Sequence, residues 1–223
     1  PTFAFVLFLS IAAYHFGQSN WYFLNNLPLW VRGIQHFLWG AFVIAAPVLW
    51  HFDSAELIIE HIVRYDVHIA ATAQIRIPLA LLFVNMILIS LYYLSYSISG
   101  KEALRQVLNL LILSVVFYTI PLLLGFAIYF ALWHAIESGD HQIQFFRRKM
   151  TPYTRSDFIQ DALPYTLLSF IGVGAFLWRQ NTALLSNFGW AYVFIFIAIV
   201  TLPHSVLMHL LYQKWAVSHD DVQ

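Results

Sequence analysis

The sequence predicts an all-α integral membrane protein, a single bundle of about seven transmembrane helices across residues 1–223. Of its 223 residues, 61% are hydrophobic and only 10% are charged, whereas soluble domains carry roughly 25% charged residues. Such a chain cannot cover a water-facing surface, so we expect it in a lipid bilayer. Its 11 Lys and Arg residues balance 11 Asp and Glu residues, and without a basic surface we expect no nucleic-acid partner. The absence of cysteine excludes disulfides and thiolate catalysis.

Apolar runs long enough to cross about 30 Å of hydrocarbon predict the first three spans. They cover about residues 1–17, 29–52 and 77–98. Between the second and third, residues 53–76 place apolar side chains at helical spacing among acidic ones. This pattern is typical of an amphipathic helix at the membrane interface.

Residues 107–133 contain no charge, and with their flanks they would form a helix far longer than a bilayer is thick. Pro121 disfavours helical geometry at the residue before it, so we place a turn at residues 119–121. Spans four and five then form a tight hairpin of rather short helices. The rest of the chain is predicted as a polar loop at 139–161, a sixth span at about 163–178 and a seventh at about 188–215.

Basic residues predict the orientation of this topology. We expect the side with more of them to be cytoplasmic, which makes this a multi-pass protein of the cell inner (cytoplasmic) membrane. Merging the hairpin into one span would reverse the orientation upstream of it. The chain begins at Pro1 directly before an apolar run, so we expect an N-terminal helix to be missing. The basic residues on the side expected to be cytoplasmic are Arg32, Lys101, Arg105, Arg147, Arg148, Lys149, Arg155 and Lys214. Those on the opposite side are Arg64, Arg76 and Arg179.

Five of the ten histidines share one predicted depth in the membrane, on four different spans: His15, His36, His134, His204 and His209. A polar side chain within a membrane needs a partner or a function. Each imidazole alone is explained by a hydrogen bond to a neighbouring helix. As a group they have the composition of a metal centre, since imidazole binds iron, copper, zinc and nickel. Neutral nitrogen donors favour a divalent ion.

Angular position separates some of these candidates. His204 and His209 are five residues apart and project about 140° from each other on a helix, so they are not expected to bind one ion. His204 is the better ligand, being deeper. His36 is flanked by Gly33 and Gly40, which either clear room beside it or allow close helix packing; both interpretations stay open.

Aromatic side chains share the helix face of one histidine. Phe126, Phe130 and His134 recur every four residues. Such a stripe is typical of core packing, but it would also suit an apolar passage for a long polyene that develops positive charge during oxidation.

Three motifs carry a resemblance to a known family. They are Tyr-His-Phe-Gly-Gln-Ser-Asn at 14–20, Tyr-Phe-Ala-Leu-Trp-His at 129–134 and Thr-Leu-Pro-His at 201–204. In this order and spacing they resemble the Brp/Blh-type β-carotene 15,15′-dioxygenases of bacteria and archaea. The likeness covers nearly the whole chain.

The resemblance implies a membrane enzyme with histidine-bound Fe(II) that adds O₂ across the central double bond of β-carotene and forms two molecules of retinal. It further implies β-carotene and O₂ as substrates and a retinal-binding rhodopsin as a downstream user of the product. By this resemblance His15 and His134 are iron ligands, and His204 is a ligand or a close neighbour of the iron. We take all three as candidate catalytic and metal-binding residues, with His36 as a further candidate ligand. The candidate substrate-binding residues are Phe126, Tyr129, Phe130 and Trp133.

The sequence departs from the family pattern in two places. No His-Gly-x-x-Asp motif precedes the His15 segment, which supports a missing N-terminal part. Many members carry a second histidine where this chain has Ser138, so either His204 or His141 takes its place or the coordination differs. The fourth ligand therefore stays open among His36, His141, His209 and a residue outside the chain.

Two other classes of function compete with this interpretation, another metal oxidase and a non-enzymatic photoreceptor or transporter. A desaturase-like or hydroxylase-like oxidase would use clustered HxxxH boxes, which the sequence lacks. A retinal-binding opsin would need a lysine inside a span, whereas Lys101, Lys149 and Lys214 are at span ends. A proton or metal transporter stays possible, because aligned histidines can relay protons.

Overall fold

The fold is a bundle of helices. A computed structural model describes residues 2–24, 26–149, 152–180, 197–198 and 201–212, and these contain no strand. Residues 201–212 are helical. The other helices are α1 (Thr2–Asn20), α2 (Leu29–Trp50), α3 (Phe52–Val63), α4 (Ala71–Leu94), α5 (Gly100–Thr119), α6 (Leu122–Ile128), a π-helical turn (Tyr129–His134), α7 (Ala135–Lys149) and α8 (Arg155–Gln180).

In the described ranges, five helical segments are long and apolar enough to cross a membrane. They are Thr2–Asn20, Leu29–Trp50, Ala71–Leu94, Gly100–Thr119 and Leu122–Arg148. The all-helical, membrane-type architecture is confirmed at this level, but the count of seven spans is not. The predicted sixth span lies within α8, which is not among the five. Half of the predicted seventh lies outside the described residues.

Helices α1 and α2 pack antiparallel at unusually short range. A Cβ atom added to Gly17 would collide with the carbonyl of His36, and one added to Gly40 would collide with the carbonyl of Ala13. Only glycine allows backbones to approach so closely. Close packing is therefore the role of Gly40, whereas a Cβ atom added to Gly33 would meet no other atom within 4 Å.

The predicted hairpin is confirmed. Helix α5 ends at Thr119, Ile120 is extended (φ −101°, ψ 136°), and α6 begins directly after Pro121. The Trp133 indole donates to Asn109 Oδ1 at 3.3 Å across the two arms. The second arm is longer than predicted, because α7 continues to Lys149. The expected loop at 139–161 is thus mostly helical: α7 covers 139–149, where no proline interrupts the chain, and α8 begins at Arg155.

Helix α3 confirms a helix in the segment between the second and third predicted spans. It buries Phe52, Ala55, Ile58 and Val63 and ends where Arg64 adopts a left-handed conformation (φ 67°). Helix α4 then begins at Ala71, earlier than the predicted residue 77. Helix α3 thus ends before the predicted segment 53–76 does, and α4 begins earlier than predicted. Both boundaries differ because helix ends give a weak local signal in an apolar chain.

Polar pairs inside the bundle connect helices at matching depths. Asn20 Nδ2 donates to Gln106 Oε1 at 2.8 Å, which joins the end of α1 to the start of α5. At the other end of the bundle, His51 Nε2 lies 2.9 Å from the carbonyl oxygen of Phe117. The apolar core between these levels is built on Trp21, Trp39, Phe42, Leu110 and Phe117.

The glycine contacts predict a matched pair of outcomes. Gly17→Ala and Gly40→Ala should each destabilise the protein by about 1–3 kcal/mol, since the added methyl forces α1 away from α2. Gly33→Ala, in the same helix as Gly40 but without a close neighbour, should have no destabilising effect. Thermal unfolding in detergent measures all three. Equal stability of the three variants would contradict the close approach.

Candidate metal centre

Three histidines converge in the bundle: His15 from α1, His134 from the end of the π-helical turn and His204 from residues 201–212. We call them the histidine cluster. Each offers a ring nitrogen, and these three atoms lie within 4.8 Å of one another. The ring centroid of His15 lies 5.2 Å from that of His134 and 5.4 Å from that of His204. The structure thus brings together three positions far apart in the chain.

Three ring nitrogens of this cluster are buried without a hydrogen-bond partner within the described residues. His15 is 2% exposed, and both of its nitrogens are buried without a partner, as is Nδ1 of His134. An unpaired buried polar atom costs about 1–3 kcal/mol, so native structures pair nearly all of them. A bound metal ion would satisfy these atoms, which makes the cluster the best candidate for a metal site.

The π-helical turn sets the position of His134. Its wider turn, in which the hydrogen bonds run from residue i to i+5, shifts the angular positions of the residues that follow it. Such turns recur at functional sites. Nothing in the hydropathy pattern of residues 129–134 distinguishes this turn from a regular helix, so the sequence analysis did not predict it.

Aromatic rings surround His134. The ring centroid of Phe16 lies 5.2 Å away, that of Phe130 5.9 Å and that of Tyr129 6.4 Å. Phe16 follows His15 directly in the chain and was not among the predicted site residues. Phe126 stacks on Phe130 at 6.2 Å. These rings give the cluster an apolar wall on the side of the π-helical turn.

Trp133 differs from the other predicted substrate-binding residues. Its indole donates to Asn109 of α5, and its side chain lines a cavity between α5 and α7. No ring contact with the histidine cluster is found for Trp133 among the described residues. Tyr129 and Phe130 therefore lie beside the cluster, whereas Trp133 lies on another side of the same helical segment.

His36 is not brought to the histidine cluster. Its Nε2 lies 3.3 Å from the carbonyl oxygen of Trp21, and its ring packs edge-on against Tyr14 at 5.4 Å. The backbone of His36 is fixed against Gly17. Within the described residues, His36 is thus a helix-packing residue and not a member of the histidine cluster.

The two other histidines considered as ligands also have different surroundings. His209 Nδ1 lies 3.1 Å from Gln18 Nε2, in line with the prediction that His204 and His209 do not share a site. His141 Nδ1 lies 3.0 Å from the Tyr212 hydroxyl, and its ring centroid is 3.9 Å from that of Tyr22. These contacts connect α1, α7 and residues 201–212, the three elements that supply the histidine cluster or adjoin it.

Comparison with known proteins gives one match. The profile of a family described as "Beta-carotene 15,15'-dioxygenase" matches residues 1–212. No curated protein and no solved structure matches the chain. The matched range contains all three members of the histidine cluster and the helices that carry them. The chain therefore belongs to the β-carotene 15,15′-dioxygenase family.

Proposed function

We propose that this protein is an iron-dependent membrane dioxygenase that cleaves β-carotene at its central double bond and forms two molecules of retinal. Family membership supports a dioxygenase activity on β-carotene. The observation that carries the metal dependence is the histidine cluster, whose buried nitrogens have no partner among the described residues. The apolar spans support a membrane location, and we assign it to the inner membrane.

The residues fit a metal ion. Metal–nitrogen bonds of about 2.0–2.1 Å, as known for zinc, place two ligand nitrogens up to about 4 Å apart. The three nitrogens here lie within 4.8 Å, so a small side-chain movement completes the site. Three neutral imidazoles suit divalent iron among other ions. Ferrous iron, when bound by His15, His134 and His204, supplies the activation of O₂ that cleavage requires.

The remaining chemistry is positioning. Both oxygen atoms of O₂ enter the products: the C=C bond and the O–O bond break and two C=O bonds form, so the reaction needs no net proton and no external electron. The overall balance therefore calls for no proton donor or acceptor beside the cleaved bond. Phe16 and Phe130 form an apolar wall at His134 that excludes water and lies against the hydrocarbon substrate.

Retinal formation tests the reaction. Cells that make β-carotene and express the whole protein should accumulate retinal, measured by liquid chromatography. His15→Ala and His134→Ala should abolish it while the protein still inserts, because each removes a metal ligand. His68→Ala, whose side chain is 82% exposed and outside the cluster, is the matched control and should retain activity. Near-normal cleavage by either cluster variant, or products of unequal length, would contradict the proposal.

Elemental analysis tests the metal and its ligands separately from turnover. The purified protein should contain about one iron per chain, and His204→Ala should lose it. His141→Phe and His36→Phe should keep it, because both side chains have other surroundings. A chelator should lower the thermal midpoint of the wild type, since the bound metal stabilises only the folded state. Zinc in place of iron, or substoichiometric metal as in a transporter, would refute iron dependence.

A further inference from the structure

A cavity lies beside the histidine cluster, between the arms of the hairpin. It has a volume of about 370 Å³ and lies between α5 and α7, with Tyr22 at one side. Its wall begins at Trp133, the residue before His134, and continues through Glu137 and His141. The cavity is thus within one turn of the cluster along the same helical segment, on a different side of it.

One wall of this cavity faces lipid. Leu132 and Ile136 line it and are 58% and 57% exposed. Both lie on the fifth candidate span, Leu122–Arg148. Exposed apolar side chains on a membrane span contact hydrocarbon, so a ligand can enter from the bilayer without crossing water.

The interior of the cavity offers hydrogen-bond donors. Asn109 accepts from the Trp133 indole through Oδ1, and no hydrogen bond occupies its Nδ2 group within the described part of the chain. Arg105 contacts Glu102 through Nε at 3.0 Å and through Nη2 at 2.8 Å, and its Nη2 lies 3.8 Å from Glu137. A guanidinium has five N–H donors, so others remain. Burial raises the pKa of the Tyr22 phenol, which keeps its hydroxyl protonated.

We propose that this cavity binds the aldehyde end of retinal, as a product site separate from the histidine cluster. The inference rests on the proposed function. Substrate and product differ in one recognisable feature, because β-carotene is a hydrocarbon and each product ends in a carbonyl oxygen. Donors around a lipid-facing cavity distinguish these two molecules. An anionic headgroup is disfavoured, since Glu137 and Asp140 line the same cavity.

Size supports the same ligand. Small-molecule sites span roughly 300–1,000 Å³, and this cavity is at the lower end of that range. It has room for the polar end and part of the chain of a C20 aldehyde, but not for a whole C40 substrate. The polar lining is not needed for cleavage, which transfers no net proton. Recognition of the product gives these donors a function that the reaction does not.

Binding to the metal-free protein tests this site without turnover. The whole protein in nanodiscs is titrated with tritiated all-trans-retinal, with empty nanodiscs subtracted, and with the hydrocarbon analogue that lacks the oxygen atom. We expect saturable binding of one retinal, about 10-fold tighter than the hydrocarbon, as hydrogen bonds from charged and neutral donors would give. Because no cleavage is involved, failure of retinal binding and failure of the proposed function are separate results.

Two variants locate the site. Asn109→Leu should weaken retinal binding about 3- to 10-fold by removing one donor and leave hydrocarbon binding unchanged. Leu132→Trp fills the lipid-facing side of the cavity without removing any polar group and should abolish saturable binding. Leu124→Trp, at a residue on the same span that is 55% exposed and does not line the cavity, is the matched control and should bind as the wild type does.

Three results would overturn the proposal. They are equal affinity for retinal and its hydrocarbon analogue, equal effects of the two tryptophan variants, and a copurified phospholipid that retinal does not displace. If Asn109→Leu fails to fold, Leu132→Trp and Leu124→Trp still decide the question, because neither changes a hydrogen bond.

Discussion

The other features of this protein follow from one constraint. A buried imidazole, that of His15, has no hydrogen bond to the rest of the described chain. His15 has two such nitrogens in a bundle interior, and each unpaired atom has a cost comparable to roughly a tenth or more of the stability of a typical domain. A ligand or ion that met those atoms would remove this cost. Neighbouring elements therefore have to be held where His134 and His204 complete the same group.

Four structural features hold these elements. The backbone contacts of Gly17 and Gly40 fix α1 against α2 and thereby set the rotation of His15. The hairpin at Pro121 returns the chain along α5, and the π-helical turn directs His134 toward α1. Farther along the same helices, the contacts among Tyr22, His141 and Tyr212 join the end of α1, α7 and residues 201–212. These contacts fix the positions of the helices, whereas the histidine cluster itself contributes ring nitrogens without hydrogen-bond partners among the described residues.

The bundle places two different chemical environments on one helical segment. On one side lies the histidine cluster, with the rings of Phe16 and Phe130 as an apolar wall beside it. On another, Asn109 and Arg105 provide neutral and charged donors in a cavity open to lipid. An oxygenase whose substrate is a hydrocarbon and whose product is polar at one end can use both. Separate environments allow the substrate to be held without polar contacts and the product to be recognised by them.

The sequence by itself determined the helical, membrane-type architecture, the break at Pro121 and the common depth of the histidines, because hydropathy and proline act locally along the chain. It also separated His204 from His209 by their angle on one helix. The tertiary structure decided that His36 packs against Trp21 and Tyr14 rather than joining the cluster, that residues 129–134 form a π-helical turn, and that Trp133 faces α5. Each of these depends on how one helix is rotated and spaced against another. That information lies in side-chain packing between segments distant in the chain, which the periodicity of a single segment does not contain.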